Sequence, residues 1–229
     1  VGETVTLQLR LRNAGNVSSG PVTATLLATN GVTAPVGTGL SYGALAASGA
    51  SGFQTFSFTA SGTNGGSIAA TLQVFTNGVF HTNVTFNFAL PNVYTFANPN
   101  LILIAENPTN VGPATPYPSI INVSGVSGLV GKVTVTLSNL NHGNADDLDI
   151  LLVSPNGQKV LLMSDAGGYN SLANVNLTFD DAVGSLPDEG QIVSTSYHPT
   201  DYEPGDVFPA PAPAGSYSTS LSTLAAASA

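Results

Sequence analysis

The sequence predicts an all-β protein made of two β-sandwich domains in tandem, and three observations carry the prediction. The first is composition. Of 229 residues, 42% are hydrophobic and only 7% are charged, against about 25% charged in ordinary soluble domains. Polarity comes from Thr, Ser and Asn, with 25 Gly and 15 Pro. Such residues suit pleated strands and the turns between them. The second is alternation. Val5, Leu7, Leu9 and Leu11 are interleaved with Thr4, Thr6, Gln8, Arg10 and Arg12, a period of two with one wet face. The third is the partition of charge. Eleven of the 13 acidic residues fall between Asp146 and Asp206, where Lys159 is the one basic residue, a net −10, while the rest of the chain carries two acids and three bases.

The elements follow in order. After the first strand, Asn13-Ala14-Gly15-Asn16 supplies turn chemistry. Strand-like runs follow at 22–28, 53–59, 68–75 and 79–88, the last alternating Val84, Phe86 and Phe88 with Asn83, Thr85 and Asn87. Their short, Gly-punctuated spacing points to a sandwich rather than to a parallel sheet with helices. Pro91, Pro99, Pro108, Pro113, Pro116 and Pro118 mark a change of texture. Residues 1–90 therefore form the first expected domain, 91–118 a Pro-rich linker and lead-in, and 119–229 the second domain. Its expected strands lie at 132–140, 148–154, 159–164 and 174–179, and 197–217 is expected to be a long surface loop. No segment has a helical period bounded by caps. The chain opens inside a strand pattern at Val1, without a signal peptide, and is expected to be a mature or excised segment of something longer.

Composition also excludes partners. Four basic residues, dispersed, cannot release counterions from nucleic acid, and no apolar run approaches the ~20 residues that span a bilayer. With no Cys there are no disulfides and no thiolate chemistry. The setting expected for such a chain is secreted or cell-surface.

The run Asp147-Leu148-Asp149-Ile150-Leu151-Leu152-Val153-Ser154-Pro155-Asn156-Gly157, followed by Val160-Leu161-Leu162, resembles the P domain that follows the catalytic domain of subtilisin-like proprotein convertases. Ser164-Asp165-Ala166-Gly167-Gly168 and Phe179-Asp180-Asp181 extend the resemblance, which spans residues 100–221. It implies a jelly-roll-like sandwich. The protease's catalytic motifs are absent, so no peptidase activity is implied. The family's closing Gly-x-Trp strand has no counterpart here, and the resemblance therefore implies a second sandwich lacking its final strand. Gly2-Glu3-Thr4-Val5-Thr6 and Asn13-Ala14-Gly15-Asn16 resemble the Ig-like modules of bacterial surface proteins.

The candidate chemistry is acidic. If Pro155 to Gln158 make the hairpin turn, Ser154 faces Lys159 and Asp165 falls opposite Leu148, between Asp147 and Asp149 on one face. Asp146 lies beside them, and Asp180 and Asp181 end another strand directed towards the same rim. Carboxylates without cationic partners repel one another, and a hard divalent ion relieves that repulsion. Asp146, Asp147, Asp149, Asp165, Asp180 and Asp181 are thus the candidate ligands, calcium the candidate ion, and Asp201, Glu203 and Asp206 a second candidate group. The competing reading is a solvated acidic rim that keeps the chain soluble. Catalysis is not expected: His81, His142 and His198 lack ligand spacing, and no Gly-x-Ser-x-Gly elbow is present. Asn16, Asn83, Asn122 and Asn176 lie in glycosylation sequons. Tyr197, Tyr202, Phe208 and Tyr217 offer either a sugar-binding surface or pins for their own loop. The expected role is a structural or adhesive component without catalysis, its partners other copies of itself or neighbouring extracellular domains. An unfinished second sandwich would let a strand donated between copies build filaments. The alternatives are an accessory region of a secreted subtilisin-like peptidase and a carbohydrate-binding module, with glycans as partners.

Overall fold

A computed structural model describes residues 2–49, 51–104 and 112–225. The chain is nearly all β and divides into two compact units, Val1–Thr95 and Phe96–Ala229. The division falls inside the Pro-punctuated stretch. Among the described residues no helix is long and apolar enough to cross a membrane.

The first unit is a sandwich of two antiparallel sheets. One has the order β1-β5-β3, from β1 (Thr4–Arg12), β5 (Ser51–Ala60) and β3 (Val32–Val36). The other has the order β4-β2-β6-β7, from β4 (Leu40–Ala44), β2 (Pro21–Leu26), β6 (Ser67–Thr76) and β7 (Val79–Ala89). Alternation places one side of each strand inside. Leu9, Leu11, Phe56 and Phe58 from the first sheet meet Val22, Ala24, Leu26, Ile68, Leu72 and Val74 from the second. Phe56 is fully buried. Tyr42 brings a hydroxyl into this core and donates to Leu9 O at 2.9 Å. Burial pushes its phenol up to about 12. Asn77-Gly78, both at positive φ, make the tight turn between β6 and β7 that matches the twist of the strands. Strands β3 and β4 escape the sequence pattern for a physical reason. Pro35 and Gly43 interrupt them, and short interrupted strands are typical of sheet edges.

The second unit holds two three-stranded sheets, β13-β10-β9 and β12-β11-β8. Their members are β8 (Val135–His142), β9 (Ile150–Val153), β10 (Lys159–Ser164), β11 (Leu172–Phe179), β12 (Thr195–Tyr197) and β13 (Thr200–Asp201). Strands β12 and β13 pair parallel to β11 and β10. Strand β13 lies inside the expected 197–217 loop and β12 ends at its first residue; at three and two residues both are too short to show a period. Strand β10 is buried along most of its length, as a central strand covered on both faces should be.

The β9–β10 hairpin departs from its expected register by one residue at the turn. Lys159 faces Val153, and Ser154 N donates to Gln158 O at 2.9 Å. The loop is therefore the three residues Pro155-Asn156-Gly157, closed by Gly157 at φ 83°, a common hairpin geometry. A bulge between Leu161 and Met163 then puts Met163 opposite Ile150. That extra residue restores the expected register at Met163, and Ser164 Oγ beyond it donates to Asp149 Oδ1 at 2.7 Å.

The β10 edge away from β9 is occupied from within the chain. Besides β13, Ser218 bridges to Val160 in parallel, with Leu161 N donating to Ser218 O at 2.8 Å. Leu221 and Leu224 insert into the core. The segment that follows the 202–217 loop, with the short helix α1 (Ser222–Ala225), thus lies along this edge.

Candidate metal centre

Three separate segments converge at the end of β10. Asp149 directly precedes β9. Ser164 ends β10, and Asp165 turns out of it at φ 47°, a left-handed conformation that Asp tolerates better than most residues. The turn is held open by Gly167, at φ 92°, where an added Cβ would lie 2.7 Å from Ala145 Cβ and 2.8 Å from Ile192 Cδ1. Asp201 lies beside Ser164 in the β10–β13 ladder. Its neighbour Thr200 is fixed on both sides, accepting from Leu186 N at 3.1 Å and donating to His198 O at 2.7 Å. Five residues later the loop returns Asp206 to the same place.

The geometry is that of an ion-binding group. One carboxylate oxygen from each of Asp149, Asp165 and Asp206 lies within 4.8 Å of the others, so the three can hold a metal ion. Oxygens bound at 2.3–2.6 Å to one hard cation are spaced in this way. The fully buried Ser164 hydroxyl sits among them, 2.7 Å from Asp149 Oδ1, 3.0 Å from Asp165 Oδ2 and 2.7 Å from Asp206 Oδ2. A hydroxyl has one proton to donate. It can serve only one of the three carboxylates at a time, and a cation set between the oxygens would relieve the repulsion among the others. Asp201 adds a buried Oδ1 that has no hydrogen-bond partner.

The electrostatics agree. Burial raises the Asp149 pKa, the Ser164 hydrogen bond partly opposes this, and Asp206, Asp165 and Asp201 raise it further. Asp201 is raised by burial and then by Asp206 and Asp165. Among the described residues none of these carboxylates has an ion-pair partner. The Lys159 ammonium donates instead to Ala214 O at 2.8 Å and lies 5.4 Å from the Tyr217 ring centroid.

The two acidic groups foreseen in the sequence are thus merged and pruned. Asp149 and Asp165 are joined by Asp206, and by Asp201 at their side, while Glu203 is exposed. Asp146 is near enough to Asp165 to feel its charge: burial, then Asp165, Asp147 and Asp188 raise it. It does not belong to the oxygen cluster. Asp147 lies in a single 3-10 turn, Ala145–Asp147, rather than in a strand. Strand alternation therefore does not carry it to the face of Asp149, and it accepts from Asn144 Nδ2 at 2.9 Å. Asp180 and Asp181 have other partners. Asp180 pairs with Lys132 at 2.8 Å, and its pKa is lowered by the Lys132 hydrogen bond and then that from Ala182 N. Asp181 accepts from Ser220 Oγ, Leu221 N and Ser222 N at 2.7–2.8 Å. Burial pushes its carboxyl up, but those three bonds and His198 outweigh burial and lower it. Ser164 went unforeseen. Its only signal was a hydroxyl next to Asp165 at the end of an apolar strand.

The remaining candidates are occupied locally. His142 is buried, and its Nδ1 donates to Asn144 O at 2.6 Å. His198 Nδ1 donates to Pro199 O at 2.7 Å. Tyr202 donates to Leu186 O and Tyr217 to Pro213 O, and Phe208 packs edge-on against Tyr217 at 5.4 Å. These aromatic residues pin their own loop. The four sequon asparagines are all exposed. Compared with protein-family models, curated proteins and solved structures, the chain matches none.

Proposed function

We propose that this chain is a non-catalytic structural module of a secreted or cell-surface protein, its second sandwich clamped by calcium between Asp149, Asp165 and Asp206. The observation that carries the reading is the single Ser164 proton shared among three carboxylates that, among the described residues, have no ion-pair partner. An all-oxygen donor set with no Cys and no His favours a hard cation. Asp149 is exposed as a residue although its carboxylate is partly desolvated, which leaves room for water in the larger coordination shell that calcium takes. A clamp of this kind ties the Asp206 loop to the sheet and stabilises the folded state by mass action. Neighbouring extracellular domains or further copies of the chain are the partners that suit such a module.

Titration calorimetry tests the site. The wild-type chain should bind one calcium per molecule. Asp206→Asn should weaken binding by at least about tenfold, the loss of about 1.4 kcal/mol expected when one charged ligand becomes neutral. Asp180→Asn, outside the cluster, should leave binding unchanged. No heat on calcium addition, or equal binding by Asp206→Asn, would overturn the assignment.

A further inference from the structure

We propose that the free edge of β7 is a self-association surface, over which a second copy of this chain pairs antiparallel with the same strand. Strand β7 ends the β4-β2-β6-β7 sheet, and among the described residues only β6 pairs with it. An unpaired edge is a template for another strand, and proteins normally guard edges with charge, proline, shortness or bulges. The other edges of the first unit are guarded in these ways. Strand β1 carries Arg10 and Arg12, β3 has five residues with Pro35 among them, and β4 has five residues with a shifted register against β2. Strand β7 has eleven residues and no Asp, Glu, Lys, Arg or Pro. Its one register shift lies near the hairpin tip, where Val74 faces Thr82 and Phe75 faces Phe80. Residues 82–89 are left regular.

The occupant follows from self-complementarity. A two-fold axis through Thr85 sets Thr85 against its copy, Asn83 against Asn87, Val84 against Phe86 and Thr82 against Phe88. Asn83, Thr85 and Asn87 are exposed, whereas Val84, Phe86 and Phe88 are half-buried against the core. Every outward pair can hydrogen-bond, the inward pairs are apolar at Val84–Phe86, and no like charges meet anywhere along the ladder. That is what an isologous contact requires. A charged peptide would find no counter-charge on this strand. An apolar cleft of about 240 Å³, lined among others by Val5, Leu7, Phe58, Phe88 and Leu90, lies at the same end of the sandwich. An added strand would remove apolar surface there from water.

Sedimentation of the full chain, in chelator and again in calcium, tests the surface independently of the metal site. The wild type should show a concentration-dependent monomer–dimer equilibrium in both buffers. Thr85→Lys, which opposes two ammonium groups on the axis, should weaken dimerisation by at least about tenfold while the conservative Thr85→Ser keeps it. A wild type that stays monomeric to its solubility limit, or a Thr85→Lys dimer of unchanged affinity, would overturn the proposal. Should Thr85→Lys fail to fold, hydrogen exchange of the wild type decides. Backbone amides within residues 82–88 should exchange more slowly as concentration rises, and unchanged exchange there overturns the proposal.

Discussion

At the residue scale the behaviour of the second unit turns on which carboxylates hold protons. Asp149 and Asp201 have raised values in the folded chain, so the folded state binds protons more tightly than the unfolded one. Their charges weaken the ion-free fold at neutral pH. Ion-free stability should rise as pH falls through their folded values towards the ordinary carboxylate value, below which these two residues add nothing further. Asp180 and Asp181 are lowered, so their contribution is present above that ordinary value and is lost as pH falls through their folded values. With calcium bound the first sign reverses, because protons then compete with the ion for the same oxygens. Denaturant midpoints at about pH 7 and about pH 5 should therefore move in opposite directions for chelated and calcium-loaded protein. Movement in the same direction for both would contradict the cluster's role.

At the element scale the segment behind the 202–217 loop depends on one anchor. The carboxylate of Asp181 accepts three hydrogen bonds from Ser220, Leu221 and Ser222, and so seats Leu221 and Leu224 in the core. Asp181→Ala should cost about 2 kcal/mol, the range for hydrogen bonds to a charged acceptor. It should also raise proteolytic cleavage around residues 216–225 relative to wild type. An unchanged unfolding midpoint would show that the buried leucines suffice. The same scale shows what the sequence made legible. The alternation of β1 and β7 could be read directly because each has one wetter and one drier face. Strands β3 and β4, interrupted by Pro35 and Gly43, could not. The β9–β10 register was misplaced at the turn, since Gly157 closes a three-residue loop, yet correct at Met163 because the bulge compensates. Asp206 was foreseen only in a separate group. It is brought to Asp149 by β13, whose two residues carry no periodic signal, and by a loop whose path no local pattern encodes.

At the scale of the whole molecule the chain divides into two β-rich units of unequal electrostatic character. The first is almost free of charge, and its β7 edge is unguarded. The second gathers the acids, and three of them crowd around one buried hydroxyl. Calcium bound at that hydroxyl should stabilise the unit that contains it and leave the other alone. Scanning calorimetry of the intact chain tests this most directly, first in chelator and then in excess calcium. The account predicts that calcium moves one melting component upward by several degrees, as binding to the folded state alone requires, and leaves the other in place. Asp206→Asn should abolish the movement. Identical melting with and without calcium would contradict the account.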